Sequence, residues 1–158
     1  MGASAVYHER QIKELCALHA LNNLFQDKES YNKIQLDEIC RNLAPNDYIN
    51  PHRDPCCIDT SKIVGFILNV PSNYKIGFVR LPIQRRHWIS VRKINGEYWN
   101  LDSKLDAPQV IGKETQAMEY LRSQLQSNDK ELFIVCTKGV DKDQTWLFPE
   151  YRHDGENK

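Results

Sequence analysis

The sequence predicts an α+β fold, N-terminal helices packed on a mostly antiparallel sheet, from three observations. Helical spacing of apolar residues marks the first part of the chain. Alternating apolar and polar residues mark most of the second. Between two of those alternating runs stands Asn95-Gly96, a pair suited to a two-residue hairpin turn because both central positions need positive φ. Helices first and strands later argue for α+β rather than for the regular βαβ alternation of a parallel sheet. At 158 residues the chain holds one domain with a core, not comfortably two.

The elements follow in order. Ala17, Ala20, Leu21, Leu24 and Phe25 give a first helix over Glu14 to Phe25. Asn32 followed by Gln35 resembles a capping box, and Leu36, Ile39, Cys40 and Leu43 form the stripe of a second helix that stops before Pro45. Residues 45–60, with Pro45, Pro51 and Pro55, read as loop. Lys62 to Leu68 is expected as a short buried helix closed by Pro71, and Lys75 to Leu81 as the first strand. The hairpin joins HWISVRKI (87–94) to EYWNLDS (97–103). Lys113 to Ser127 is expected as a helix with Ala117, Tyr120, Leu121 and Leu125 inward, and ELFIVCT (131–137) as a fully buried strand. The remainder reads as a polar C-terminal tail over 139–158, in which Trp146, Leu147 and Phe148 could dock.

Composition bounds the function. Lysine plus arginine and aspartate plus glutamate both total 21, so bulk charge signals no basic stripe for nucleic acid and no electrostatic docking to a membrane. Mean hydropathy is -0.61, and the longest apolar stretch, near Ile63 to Val70, contains Gly65 and Asn69. A transmembrane helix needs roughly 18 apolar residues. The N-terminal MGASAVYHERQ shows no apolar segment of a secretory signal, and Val6 stands where a myristoylation signal has Ser or Thr. Five cysteines without a spaced framework fit free thiols in a reducing compartment, the cytoplasm and also the nucleus; a monomer is expected.

The hairpin register brings chemistry together. A two-residue turn pairs Ile94 with Glu97, Val91 with Asn100 and Ile89 with Asp102. His87 then becomes the diagonal neighbour of Asp102, with alpha carbons ~7–8 Å apart. A carboxylate there accepts from one imidazole nitrogen and leaves the other as a base. Asn100 lies one pair further away. Cys16, near the start of the first helix, is where unpaired backbone N–H groups favour a thiolate. Gln11, five residues upstream, could donate its amide to an oxyanion beside the sulfur. Cys–His with an orienting third group is the pattern of thiol hydrolases.

Blander roles fit the same residues taken singly. A helical cysteine is often a small buried hydrophobe, a strand histidine often structural, and Asp102 before Ser103 can simply begin a turn. Cys40 and Cys136 fall on apolar stripes and read as core. Trp88 reads as core on the face opposite His87. Cys16 and His19, with His52, Cys56 and Cys57, nominally supply zinc ligands, but the spacing matches no zinc module; neither metal nor cofactor is expected.

VYHERQ, then ELCALHALNNLFQ, then RRHWISVRKINGEYWNLDSKL together resemble the Josephin family of ubiquitin-cleaving cysteine proteases, especially members made of little beyond the Josephin domain. The resemblance implies a papain-like core over residues 6–138, with Cys16 as nucleophile, His87 as general base, Asp102 as orienting residue and Gln11 as oxyanion donor. It implies ubiquitin, polyubiquitin and ubiquitinated proteins as partners. One departure stands out. Between NPHRD (50–54) and VGFILNVPS (64–72), where the family carries a helix and a strand, this chain has only PCCIDTSKI, too short for elements that average ~11 and ~5 residues. A ubiquitin-binding module with little or no turnover is the alternative this shortening raises.

Overall fold

The computed structural model describes residues 5–11, 15–36, 54–76 and 79–152. Helix α1 spans Cys16–Phe25 and ends where Gln26 turns into the left-handed region (φ 59°). Strand β1 spans Gly65–Ile76, β2 Val79–Ile94, β3 Glu97–Asn100 and β4 Gln109–Gly112. Helix α2 follows over Glu114–Gln124, strand β5 over Glu131–Val135 and helix α3 over Lys138–Lys142. The strands form one sheet in the order β4-β3-β2-β1-β5, with every pairing antiparallel. The α+β expectation holds.

The turn at Asn95-Gly96 has positive φ at both residues, 53° and 84°, and sets the predicted pairs Ile94 with Glu97 and Val91 with Asn100. Asp102 is not a ladder partner of Ile89, however, because β3 stops at Asn100. Leu101 makes a last backbone bond to Ser90 before the chain leaves the sheet.

Two other segments differ from expectation. Lys62 to Leu68 is not a helix: a 3-10 turn over Thr60–Lys62 leads into β1. A short apolar run reads either way, and two neighbouring strands decide it, since Phe66 faces Val91 on β2 and Ile134 on β5. Pro71 does not close the element either. It lies in β1 beyond the last residue paired to β5, where a missing N–H costs little. The candidate strand over Lys75 to Leu81 crosses a strand boundary, since Ile76 of β1 pairs with Val79 of β2.

The expected first strand is thus the far end of a long hairpin. β5 is half-buried along its length rather than fully buried; in the described sheet it is an edge strand, paired with β1 alone. Asn32 and Gln35 exchange two side chain–backbone bonds, at 2.9 and 3.0 Å, as a capping box does. Ile39, Cys40 and Leu43 lie outside the described residues.

The core gathers on one sheet face. Phe66, Leu68 and Val91 meet Ala117 and Leu121 of α2 and, from the C-terminal segment, Leu147. Trp146 and Leu147 dock through backbone bonds as well: Asp59 N–H donates to Trp146 O (2.8 Å) and Phe148 N–H to Cys57 O (3.1 Å). Cys57 is buried in this core and Cys136 packs against it, while Cys56 is exposed. Helix α1 packs against β2 with Ala20 and Leu24 buried. Gly65 makes its approach possible, because a Cβ there would lie 2.8 Å from Leu24 Cδ1 and 2.6 Å from Val91 O.

Candidate active site

The short reach of β3 shapes the site. Among the described residues it leaves the edge of β2 near Trp88 free of a neighbouring strand, and the start of α1 meets that edge through Cys16. Cys16 is the first residue of α1, and its sulfur takes hydrogen bonds from the Trp88 and Ala17 backbone amides and from His87. A helix start and two amides favour negative charge at sulfur. The His87 contact is the main cause that lowers the Cys16 thiol below its ordinary value; burial opposes it without cancelling it.

His87, only 3% exposed, places Nε2 2.6 Å from Asp102 Oδ1. With Nε2 engaged, Nδ1 is left for sulfur. Burial alone would lower the imidazole, but the Asp102 carboxylate and then Cys16 raise it above the ordinary range. Burial likewise pushes Asp102 up, and His87 with the Lys104 backbone N–H brings it below the usual carboxylate value. The pair therefore favours thiolate, imidazolium and carboxylate together.

Asp102 is fixed from its own turn. Its N–H donates to Asn100 Oδ1 (3.1 Å), the Lys104 N–H donates to Asp102 Oδ1 (2.9 Å), and its carbonyl accepts from Leu105 N–H (3.0 Å). Asn100 thus serves the orienting turn rather than the imidazole. Tyr120 of α2 carries its phenol near this charge; burial first, and then Asp102, raise it.

Gln11 lies beside the same turn: its backbone N–H donates to Ser103 O (2.8 Å), and its side-chain Oε1 is buried without a partner among the described residues. Trp88 is half-buried, its ring 5.5 Å from that of Phe133, and it stands outside the main core cluster. Of the nominal zinc ligands, His19 is committed to Glu9 and His52 lies outside the described residues. No cluster able to hold a metal occurs among the described residues.

Sequence reasoning missed the polar face of α1. Residues 7–11 run past that helix and are fastened to it by His19, Asn22, Asn23 and Gln26. His19 Nδ1 donates to Glu9 Oε2 (2.6 Å), and Asn23 Oδ1 accepts from the Glu9 N–H. The Gln26 amide pairs with both backbone groups of Tyr7, at 2.9 and 3.0 Å. Three polar side chains among the apolar residues of one short helix, with a fourth just past its end, were the available signal.

A thiol, an imidazole and a carboxylate in series on an α+β scaffold define the arrangement used by thiol hydrolases. The comparisons narrow the class. The Josephin family profile matches residues 11–55 and 47–136. The chain is 42% identical to a Josephin-like protein of Drosophila melanogaster, with 93% of this chain and 82% of the relative covered. It is 36% identical to human Josephin-2 (90% and 92% covered), and 27% identical to human Ataxin-3 over 83% of this chain and 45% of the relative. This chain belongs to the Josephin family.

The comparisons also bear on the shortening. The alignment to the Drosophila protein runs over 183 positions, more than the 158 residues of this chain, so some positions of that relative have no counterpart here. The family profile breaks into its two matches at residues 47–55, next to the PCCIDTSKI segment.

Proposed function

We propose that this chain is a deubiquitinase: a thiol-dependent hydrolase of peptide and isopeptide bonds at the C-terminal glycine of ubiquitin. The single observation that carries the proposal is the Cys16–His87–Asp102 series at the start of α1, in a chain of the Josephin family. The Cys16 thiolate attacks the carbonyl carbon of the terminal glycine. The Gln11 amide and a backbone N–H steady the oxyanion, and the His87 imidazolium gives its proton to the leaving lysine amine. Water, deprotonated by His87, then attacks the thioester and frees both the ubiquitin carboxylate and the Cys16 sulfur. Asp102 holds His87 in the orientation that each proton transfer uses.

No metal or cofactor enters this scheme. Ubiquitin and ubiquitinated proteins are the partners proposed for a monomeric chain, and a nucleophilic thiol that has to stay reduced fits the cytoplasm or nucleus. The test is release of a fluorophore from the ubiquitin C-terminus. Wild-type chain is expected to release it and Cys16→Ala to be inactive, whereas equal rates from both would overturn the proposal. Binding of ubiquitin by a folded wild-type chain without any release would favour the binding-module reading, which the missing positions support.

A further inference from the structure

The route by which Gln11 is held beside the site assigns a role to a residue outside the Cys–His–Asp series. Residues 7–11 lie between two walls, and each wall carries a member of the Cys16–His87–Asp102 series. One is α1, which starts at Cys16; the other is the Leu101–Ser103 turn, which holds Asp102. Asn23, fully buried, bridges the walls: its Nδ2 donates to Glu9 O (3.2 Å) and Leu101 O (3.1 Å), while its Oδ1 accepts from the Glu9 N–H. The Glu9 side chain locks the same point. It accepts from His19 Nδ1 (2.6 Å), from the Tyr7 hydroxyl and, more weakly, from Asn22 Nδ2 (3.4 Å). Two residues further on, the Gln11 N–H reaches Ser103 O.

We propose that Glu9 is a positioning residue for the oxyanion-stabilising Gln11, fixing the 7–11 segment between α1 and the Asp102 turn so that the Gln11 amide faces the carbon attacked by Cys16. This rests on the deubiquitinase reading. The carboxylate suits the task because it joins three donors at one point. Burial would raise it, yet the bonds from Tyr7, His19 and Asn22 keep it below the ordinary carboxylate value. Replacing it removes the side-chain half of this anchoring, leaves the backbone bonds to Asn23, Gln26 and Ser103, and keeps the Cys16–His87 pair in place. Displacement of an oxyanion donor by an ångström or so is enough to cost ~10- to 100-fold in rate.

A double-mutant cycle tests the coupling, with Glu9→Ala, Gln11→Ala and the double variant assayed on a fluorogenic ubiquitin C-terminal amide. Glu9→Ala is expected to lower kcat ~10- to 100-fold with KM within about twofold, and to have almost no further effect once Gln11 is alanine. Cys16 alkylation by iodoacetamide, which develops no oxyanion, is expected to keep its wild-type rate and pH dependence in Glu9→Ala. Fully multiplicative effects on kcat, or an alkylation rate that falls with kcat, would overturn the inference while leaving the deubiquitinase reading intact. Should Glu9→Ala lose its cooperative melt, Glu9→Asp takes its place in the cycle, with the same pattern expected at smaller amplitude and the same contrary results. A folded wild-type chain that does not turn over the substrate would overturn the reading, and this inference with it.

Discussion

His87 Nε2 lies 2.6 Å from Asp102 Oδ1 although Asp102 has already left strand β3. The contact is made from a turn rather than across a ladder, and the turn is fixed by Asn100, Lys104 and Leu105. An amide oxygen could accept from Nε2 at the same place. Asp102→Asn is therefore expected to keep kcat within about tenfold of wild type, whereas Asp102→Ala, which leaves Nε2 without an acceptor, should lose ~100-fold or more. Steady-state hydrolysis of a ubiquitin C-terminal amide checks this, and equal losses from both variants would contradict the orienting role.

The same group of residues sets the pH dependence. Because hydrogen bonding from His87 lowers the Cys16 thiol, iodoacetamide alkylation of Cys16 should titrate below the ~8.5 of a free cysteine. His87→Ala removes the largest lowering cause and leaves burial opposed only by the Trp88 and Ala17 amides, so the inflection should move upward from its wild-type position. Hydrolysis should trace a bell, rising as the ion pair forms and falling as the raised His87 loses its proton. A flat rate from about pH 5 to 9 would contradict the mechanism.

Stability should follow the same two groups with opposite signs. His87 titrates higher folded than unfolded, so its stabilising contribution is complete below about pH 6.5 and fades as pH rises through the folded value. Asp102 is held low, so its contribution is complete above about pH 3.9 and is lost as pH falls through the folded value. Melting temperatures of wild type minus His87→Ala, followed across pH, should narrow toward both extremes.

Asn23→Ala should destabilise the chain by ~2–3 kcal/mol, because it strips partners from the Glu9 N–H and from the Glu9 and Leu101 carbonyls in a buried place. Urea unfolding gives the number, and a loss under about 0.5 kcal/mol would show that the clip contributes little.

Two glycines separate crowding from backbone conformation. Gly65→Ala puts a Cβ 2.6 Å from Val91 O of β2 and 2.8 Å from Leu24 Cδ1 of α1, and should cost ~1–3 kcal/mol by forcing α1 away from the sheet, with slower Cys16 alkylation as a second sign. Gly96→Ala meets nothing within 4 Å, so its cost, ~1 kcal/mol, comes from the φ of 84° alone, and alkylation should be unchanged.

The legible parts of the chain were those governed by neighbours in sequence. The Asn95-Gly96 turn fixes its own register, and from it came the proximity of His87 and Asp102. Cys16 at the start of α1 and the Asn32–Gln35 cap were equally local. What long-range pairing decides was not legible. Residues 65–68 became strand because β2 and β5 flank them, and β5 lies half-buried as an edge strand of the described sheet. The clip on residues 7–11 was hidden for the same reason: Glu9, Asn23 and Leu101 meet only in the folded chain.

The most direct measurement is intact mass after incubation with ubiquitin bearing a C-terminal thiol-reactive warhead, on wild type and Cys16→Ala side by side. The account predicts a single ubiquitin adduct on wild type that is absent from the variant, showing that the shortened chain still assembles the cleft and that Cys16 is its nucleophile. An unmodified wild-type chain that melts cooperatively, or an adduct that survives Cys16→Ala, would contradict it.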